Sequence, residues 1–502
     1  MGKIIGTRMS HRLSLLILTL TLTLTPVLFC PATAQGLQLP DMGDPAQAAV
    51  GPDEERRLGM EIMGRLRARG LIMDDVQLNE YLYSLGQRIA NQADQGSAPF
   101  TFFMVRDVGI NAFALPNRLV GINAGLLLAT EREDELAGVL AHEIAHVTQQ
   151  HIVRAIADMK RMALPMAAAM VAGAALAAAS KEAGQAAMVS AAAASAQHLI
   201  SFTRANEQEA DRVGMQLLAR SGFDARGMTD FFAKLERWSG SDARNQIPEM
   251  LRTHPRPESR AADTQDRIQT PAVRHRAPRD RTAYELAKAR ARVLVTDDHT
   301  TLIRNLETTL AKGGYGNEVA ERYAYALALR QAGRYAAAQQ QVLRLLQNDP
   351  DRLAFRLEAA ELALAAGDRP GGWQQFEAAR QLYPDDFTLA MHYGRALATQ
   401  GDPHQAMRLL QPQVRRRPQD AALQGYYAQA AQRAGDLTAT YATRAETYYL
   451  NGELLAAMEQ LEQGLRNSSL SPDQEAQLRA RLKQIRAEAI AQDLPVPKRD
   501  AP

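Results

Sequence analysis

Hydrophobic and polar positions divide the chain into three stretches with different patterns. An apolar run, LSLLILTLTLTLTPVLF, follows the basic residues Lys3, Arg8 and Arg12. Residues 35–265 then show a mixed helix and strand pattern. From about residue 283 the pattern is almost wholly helical. The patterning predicts a mainly α protein, in which an α+β domain with a small sheet is followed by an all-α domain.

The helical half repeats with a period of 34 residues, which is the period of the tetratricopeptide helix-turn-helix unit. Glycine allows the turn between paired helices, proline ends the second helix, and a small residue lets the helices approach closely. The recurring positions are Gly333, Gly367, Gly401 and Gly435, then Pro350, Pro384 and Pro418, and then Ala326, Ala360, Gly394 and Ala428. We predict a tetratricopeptide solenoid with four units over 319–454 and flanking helical pairs at about 283–316 and 453–490. Such stacks are binding surfaces, the alternative being a purely structural array.

Composition places the domain boundaries. The apolar run ends in ATA before Gln35, which predicts a signal peptide over 1–34 that is cleaved and not a permanent anchor. Residues 266–282, DRIQTPAVRHRAPRDRT, are polar, basic and contain proline, and predict a linker. The predicted domains are therefore a first domain at 35–265, the repeat domain at 283–490 and a disordered tail at 491–502.

Charge and cysteine content limit the kinds of ligand and metal site that the chain can have. The net charge of +2 gives no indication of a nucleic-acid surface. The only cysteine, Cys30, lies inside the predicted signal peptide, so the mature chain would have no disulfide and no thiolate ligand. A secreted chain of this kind must bind any metal through histidines and carboxylates.

The stretch AGVLAHEIAHVTQQH at 137–151 carries the strongest candidate chemistry. TERE at 130–133 predicts a capping box at the start of its helix. His142 and His146 then lie one turn apart on one face, the spacing at which two imidazoles can hold one zinc ion, and Glu143 can act as general base on a water. Solvated side chains are the alternative, but the neighbouring positions are apolar, which makes buried partners more favourable.

Zinc requires a third protein ligand. A histidine six residues after the second motif histidine is excluded, because Ile152 occupies that position. His151 is expected on the helix surface and not among the ligands.

The better candidate lies on RANEQEADRVGMQLLARSGF at 204–223, which predicts a helix ended by Gly222. Glu207, Asp211 and Gly214 share one face of this helix. Glu207 is the predicted third ligand, Asp211 would orient a ligand histidine or assist proton transfer, and Gly214 would let the two helices meet closely.

HExxH at 142–146 with ExxxD at 207–211 resembles the HtpX-like zinc metallopeptidase family. The resemblance implies a zincin-like fold with one Zn²⁺ per chain. NAFALP at 111–116 resembles a family segment that leads to an edge strand near the active site, and LVGINAGLL at 119–127 is expected to be that strand. An exposed edge can pair with an extended substrate. After this segment the family often has a pair of glycines, and in this sequence Asn117-Arg118 stands in their place.

The signal peptide and the repeats resemble a periplasmic group within this family. That resemblance implies a zinc endopeptidase of a Gram-negative periplasm, which hydrolyses misfolded or stalled outer-membrane proteins and assists outer-membrane protein assembly like a chaperone. It also implies contact of the repeats with the barrel assembly machinery. THPRP at 253–257 matches a motif whose histidine fills the open zinc position, so His254 is a candidate regulatory fourth ligand, an ordinary loop histidine being the alternative.

The predicted mechanism is metal-assisted peptide hydrolysis, with Glu143 and Asp211 as catalytic groups. The alternative is a repeat-based assembly chaperone or scaffold with a latent zinc site. The alanine-rich segment 162–197 is too short and too interrupted, by Pro165 and Gly173, for a membrane span. A mobile lid over the site and a peripheral membrane contact both remain open for it.

Overall fold

The computed structural model describes residues 50–93, 99–179, 181–241, 249–254, 281–467 and 470–496. The predicted signal peptide, nearly all of the predicted linker and the end of the predicted tail lie outside these residues. The first part of the chain contains α1 Pro52–Ala68, α2 Val76–Ala90, β1 Thr101–Val105, β2 Ala112–Leu115, β3 Leu119–Asn123, α3 Ala124–Ala129, α4 Glu133–Thr148, α5 His151–Ala179, α6 Lys181–Arg220, α7 Arg226–Ser241 and α8 Glu249–Thr253.

The second part of the chain is helical throughout the residues described. Its helices are α9 Thr282–Leu294, α10 His299–Lys312, α11 Glu318–Gln331, α12 Tyr335–Asn348, α13 Leu353–Ala365, α14 Arg369–Leu382, α15 Phe387–Gln400, α16 Pro403–Arg416, α17 Ala421–Ala434, α18 Leu437–Leu450, α19 Leu454–Leu465 and α20 Pro472–Ala491. The predicted fold class, a small-sheet α+β domain followed by helical repeats, is confirmed.

The sheet has three strands in the order β1-β3-β2. β3 is parallel to β1 and antiparallel to β2, and all five of its residues are buried because it pairs on both sides. The prediction that 119–127 forms an edge strand is therefore wrong: β3 is central, and the chain enters helix α3 at Ala124. The NAFALP segment itself forms the edge strand β2, whose residues after Ala112 are only partly buried.

The turn between β2 and β3 is made without glycine. Asn117 and Arg118 both have positive φ, 65° and 56°, a conformation that costs roughly 1–2 kcal/mol for each residue with a side chain. The backbone amide of Asn117 donates to Oε1 of Glu55 at 2.9 Å. The Arg118 guanidinium lies 4.2 Å from the centre of the Phe100 ring. These contacts offset the cost of the left-handed turn.

Helix α4 begins differently from the prediction. Its N-cap residue is Arg132, without a side-chain cap, so the predicted capping box at 130–133 is wrong. The Thr130 hydroxyl instead donates to the Leu127 carbonyl and bonds with the Tyr284 hydroxyl of α9. The Glu131 amide donates to the Glu135 carboxylate at 2.8 Å. Thr130 therefore closes α3, and tertiary contact with α9 determines its role.

Helices α5 and α6 pack against each other and include the alanine-rich segment 162–197. α6 is longer than the predicted helix and ends at Arg220, after which Gly222 has a φ of 74°. Within the described residues, no helix combines the length and hydropathy that crossing a membrane requires. Exposed apolar side chains on this pair are Met159, Met170, Val171, Val189, Leu199 and Ile200.

The repeat domain follows the predicted period. Gly333, Gly367 and Gly435 have φ values of 72°, 87° and 80°, as a left-handed turn after a helix requires. Gly401 has a φ of −113° and needs no such freedom. The flanking pairs α9–α10 and α19–α20 extend the array at both ends.

Polar contacts join the repeats to the first domain inside one compact unit, Pro45–Pro502. The Arg290 guanidinium donates to both carboxylate oxygens of Asp75 at 2.7 and 2.8 Å. Arg417 binds Glu80 in the same bidentate way, at 2.6 and 3.0 Å. The repeats are therefore packed directly on the domain that carries the HExxH motif.

Candidate metal centre

Small residues let the two site helices approach closely. A Cβ atom on Gly214 of α6 would lie 3.1 Å from the backbone of Ala141 in α4. A Cβ atom on Gly138 would lie 2.6 Å from Cα of Met228 in α7. The expected role of Gly214 at a close approach of the two helices thus agrees with the structure. This packing brings the histidines of α4 against the acidic face of α6.

Four buried side chains converge between α4, α6 and the end of α8: His142, His146, Glu207 and His254. Each offers one nitrogen or oxygen, and these atoms all lie within 4.8 Å of one another. Nε2 of His142 lies 3.0 Å from Nε2 of His146 and 3.4 Å from Oε2 of Glu207. Oε1 of Glu207 lies 3.3 Å from Nε2 of His146 and 3.0 Å from Nδ1 of His254.

These separations suit a tetrahedral metal ion. Zinc–ligand bonds of about 2.0–2.1 Å place neighbouring ligand atoms about 3.3–3.4 Å apart. Three imidazoles and one carboxylate are also the donor types that zinc accepts. The donor set therefore fits the cofactor expected from the sequence.

Glu143 is a second indication that the site is built for a further group. It is fully buried, and neither carboxylate oxygen has a hydrogen-bond partner among the residues that the structure describes. Nε2 of His254 lies 3.6 Å from its Oε1. A buried carboxylate without hydrogen bonds is costly, so its position beside the donor set points to a role in chemistry and not in stability.

The charges of the site are strongly coupled. Burial opposes the charged imidazole of His142, but the nearby Asp211 and Glu207 carboxylates outweigh it and raise its pKa to about 10. Burial is the largest cause that lowers the pKa of His146 to about 3, against the opposing effect of Glu207. Burial alone would raise the pKa of Glu207, but hydrogen bonds with the surrounding histidines hold it far below its usual value. The Glu207 carboxylate therefore stays ionised and favours a positive charge at the donor atoms.

Asp211 lies where the sequence predicts a supporting group. Its Oδ1 is 3.1 Å from Nδ1 of His142, on the side of the ring that faces away from the donor set. Asp211 is buried and does not belong to the four-residue group. It can therefore orient His142, and its place is next to a candidate ligand.

The expectation that His151 lies on the helix surface is wrong. Only 3% of this residue is exposed, and its Nδ1 lies 2.9 Å from Nδ1 of His146. The cause is a break between α4 and α5, where Gln150 takes a φ of 55° and turns the chain. A continuous helix would place His151 on another face from His146. The sequence contains no glycine or proline at this turn that could have indicated the break.

His254 follows α8, which is attached to the sheet region by a hydrogen bond from the Met250 amide to the Ile110 carbonyl. The structure brings His254 into the donor set, and only 8% of it is exposed. Pro255, Arg256 and Pro257 of the THPRP motif lie outside the described residues. Every predicted site residue, Glu143 and Asp211 included, thus lies in or beside one cluster.

An α+β domain with this buried donor set defines a metallopeptidase. The profile of peptidase family M48 matches residues 76–268. The beta-barrel assembly-enhancing protease of Escherichia coli K12 is 33% identical and covers 94% of this chain and 96% of its own length. The protein of the same name from Yersinia pestis is 32% identical, with 93% and 96% covered. The chain belongs to peptidase family M48, together with these two relatives, and is a zinc metalloprotease.

More distant similarities cover less of the chain or show less of the fold. The mitochondrial metalloendopeptidase OMA1 of Danio rerio is 27% identical over 38% of this chain and 40% of its own length. Yeast Tom70 is 10% identical, covers 90% of this chain and 76% of its own, and has a TM-score of 0.30. A tetratricopeptide repeat protein from Parabacteroides merdae has a TM-score of 0.27, with 11% identity over 51% of this chain and 98% of its own.

Proposed function

We propose that the chain is an endopeptidase that holds one Zn²⁺ with His142, His146 and Glu207 and hydrolyses peptide bonds. The observation that carries this proposal is the convergence of the donor atoms beside the buried Glu143, which accepts no hydrogen bond from the part of the chain that the structure describes. Bound zinc would supply Lewis acidity, which polarises the scissile carbonyl and lowers the pKa of a water. A purely structural zinc site would not require Glu143.

The chain's own residues supply the proton transfers. Glu143 accepts a proton from the attacking water and delivers it to the leaving amine. Its burial keeps the carboxylate close to the donor set and away from bulk water. Asp211, 3.1 Å from His142, holds that ring in the tautomer that leaves Nε2 available as a ligand.

We propose that His254 acts as a regulatory fourth ligand that keeps the site latent. Its Nδ1 lies 3.3 Å from Nε2 of His142, and its Nε2 faces Glu143 at 3.6 Å. In this position the imidazole takes up the place that a substrate or a water requires. Displacement of His254 from the donor set would open the site.

We propose that the substrates are misfolded or stalled outer-membrane proteins in the periplasm of a Gram-negative bacterium. The names of the relatives, beta-barrel assembly-enhancing protease, support a role in outer-membrane protein assembly. The predicted signal peptide at 1–34 would deliver the chain to that compartment. The repeats, packed on the peptidase domain, would bind the barrel assembly machinery and raise the local concentration of substrate.

The helical pair α5–α6 is the proposed site of a peripheral membrane contact. Its exposed methionine, valine, leucine and isoleucine side chains support that contact. A lid over the active site is the alternative for the same pair. Binding of the chain to phospholipid vesicles, and its loss when Met170 and Val171 are changed to Ser, separates the two.

A second candidate function is an assembly scaffold whose zinc site stays shut. The position of His254 inside the donor set favours it, because a filled site cannot accept substrate. The two functions are compatible if a client opens the site. A scaffold alone would not depend on Glu143.

The deciding experiment measures zinc content and cleavage of an unfolded outer-membrane protein by the full mature chain. We expect one zinc per chain, cleavage that Glu143→Gln abolishes, and faster cleavage by His254→Ala. Zinc binding without any cleavage that depends on Glu143, in either background, would leave the scaffold as the function.

A further inference from the structure

We propose that His151 and Glu209 form a relay that positions His146 and thereby sets the affinity of the site for its metal. The inference rests on the proposed function, in which His146 is a ligand. It assigns a task to two residues outside the donor set, one of which the sequence places on the surface.

The two nitrogens of the His146 ring point in different directions. Nε2 points into the donor set, 3.0 Å from Nε2 of His142. Nδ1 points the other way, 2.9 Å from Nδ1 of His151. Nε2 of His151 in turn lies 3.1 Å from Oε2 of Glu209. The three groups form a continuous line from a carboxylate on α6 to a ligand nitrogen on α4.

Metal binding through Nε2 determines where the protons of this line must lie. A neutral imidazole that uses Nε2 as a ligand carries its proton on Nδ1. That proton is donated to Nδ1 of His151, which must then carry its own proton on Nε2. The second proton is donated to the Glu209 carboxylate. Each hydrogen bond thus selects the tautomer that makes His146 a good ligand.

The relay is held rigidly from both ends. His151 is buried, and the turn at Gln150 directs it back toward His146. Glu209 also accepts a hydrogen bond from Arg154 at 2.8 Å, on the first turn of α5. Its carboxylate is therefore fixed between α5 and α6, and cannot rotate away without losing both partners.

The arrangement parallels the support of the other motif histidine. Nδ1 of His142 lies 3.1 Å from the Asp211 carboxylate, also on α6. Each of the two histidines is thus supported by a carboxylate of the same helix, directly for His142 and through His151 for His146. His151 is not itself in the four-residue donor group, since its contact is with the outer nitrogen of His146.

The test measures the zinc dissociation constant of the full mature chain by competition with a chelator, together with the visible spectrum after cobalt substitution. The variants are His151→Leu, His151→Asn, Glu209→Gln and the control His198→Leu. Asn places an amide oxygen near the former Nδ1 and keeps the first hydrogen bond. His198 pairs with Asp158 on the same two helices. It is exposed, and this pair is not part of the relay.

We expect zinc binding to weaken roughly 10–100-fold in His151→Leu, by the size of effect that outer hydrogen-bond partners of metal ligands have. His151→Asn should recover much of the loss, and Glu209→Gln should show a smaller loss. The cobalt spectrum should change in His151→Leu, and His198→Leu should behave as the parent protein. Rescue by Asn would distinguish positioning from a general loss of packing.

Wild-type zinc affinity and cobalt spectrum in both His151→Leu and Glu209→Gln would overturn the relay while leaving the proposed zinc site intact. If His151→Leu does not fold, His151→Asn and Glu209→Gln decide: wild-type affinity with an unchanged spectrum in Glu209→Gln contradicts the relay. Absence of zinc binding by the parent protein would overturn both this inference and the proposed function.

Discussion

Buried charges are arranged differently in the repeats and at the candidate metal centre. In the repeats they are paired: the fully buried Glu358 accepts two hydrogen bonds from the Arg330 guanidinium, and Arg290 binds Asp75 across the domain boundary. In the peptidase domain, three histidines and Glu207 crowd together, and Glu143 is buried without a hydrogen bond from the described residues. Removing one partner of a buried pair in the array would leave the other charge uncompensated, whereas the Glu143 carboxylate, which accepts no hydrogen bond from the described residues, is placed for chemistry.

The largest expected effect is on catalysis. Glu143→Gln should lower the rate of peptide hydrolysis roughly 10²–10⁴-fold, because the general base is lost. Zinc content should stay the same. The free energy of unfolding should stay the same or rise, because a neutral amide replaces a buried carboxylate. Cleavage assays, metal analysis and urea unfolding of the same preparations measure all three. A large loss of stability in this variant would contradict the contrast between the repeats and the metal centre.

The second expected effect is on stability alone. Asp75→Asn should lower the free energy of unfolding by about 3–5 kcal/mol, because it leaves the buried Arg290 charge without its carboxylate. Asn can still accept the capping hydrogen bond that Asp75 takes from the Leu78 amide. Zinc content should not change. Urea unfolding measures the effect, and Asp298→Asn, an exposed helix cap, serves as the control with little change.

The smallest expected effect is the pH dependence of the stabilisation by the Asp75–Arg290 pair. Burial would raise the pKa of Asp75, but Arg290 outweighs it and lowers the pKa below its usual value. The stabilisation by this pair is therefore complete above the unfolded pKa of about 3.9 and is lost as the pH falls through the lower folded value. The difference in unfolding free energy between the parent and Asp75→Asn should stay constant from pH 7 to 5 and shrink below about pH 4. A constant difference down to pH 3 would show that the pair is not the cause.

Sequence reasoning succeeded where function depends on spacing within one element. His142 and His146 lie together because one helical turn separates them, and the 34-residue period locates the helix pairs of the repeats. Glu207 and Asp211 could be placed by the same rule on their own helix. That their helix meets the first was predicted from Gly214, whose missing side chain permits the contact.

Reasoning from the sequence failed where a residue depends on partners far along the chain. Thr130 lies at the end of α3 and its hydroxyl also bonds Tyr284, 154 residues away. β3 is central because β1 and β2 pair on both of its sides, and strand order cannot be read from an apolar run. His151 was placed on the surface because the turn at Gln150 carries no glycine or proline.

The sequence by itself determined the kinds of ligand, their spacing on two helices and the repeat architecture, since helical periodicity alone decides which side chains share a face. The tertiary structure decided between the two alternatives for His254, which joins the donor set, and it alone showed that Glu143 is buried without a hydrogen bond from the described residues and that His151 contacts His146. The physical reason is that these contacts join separate elements, and their distances depend on how the helices pack and where the chain turns.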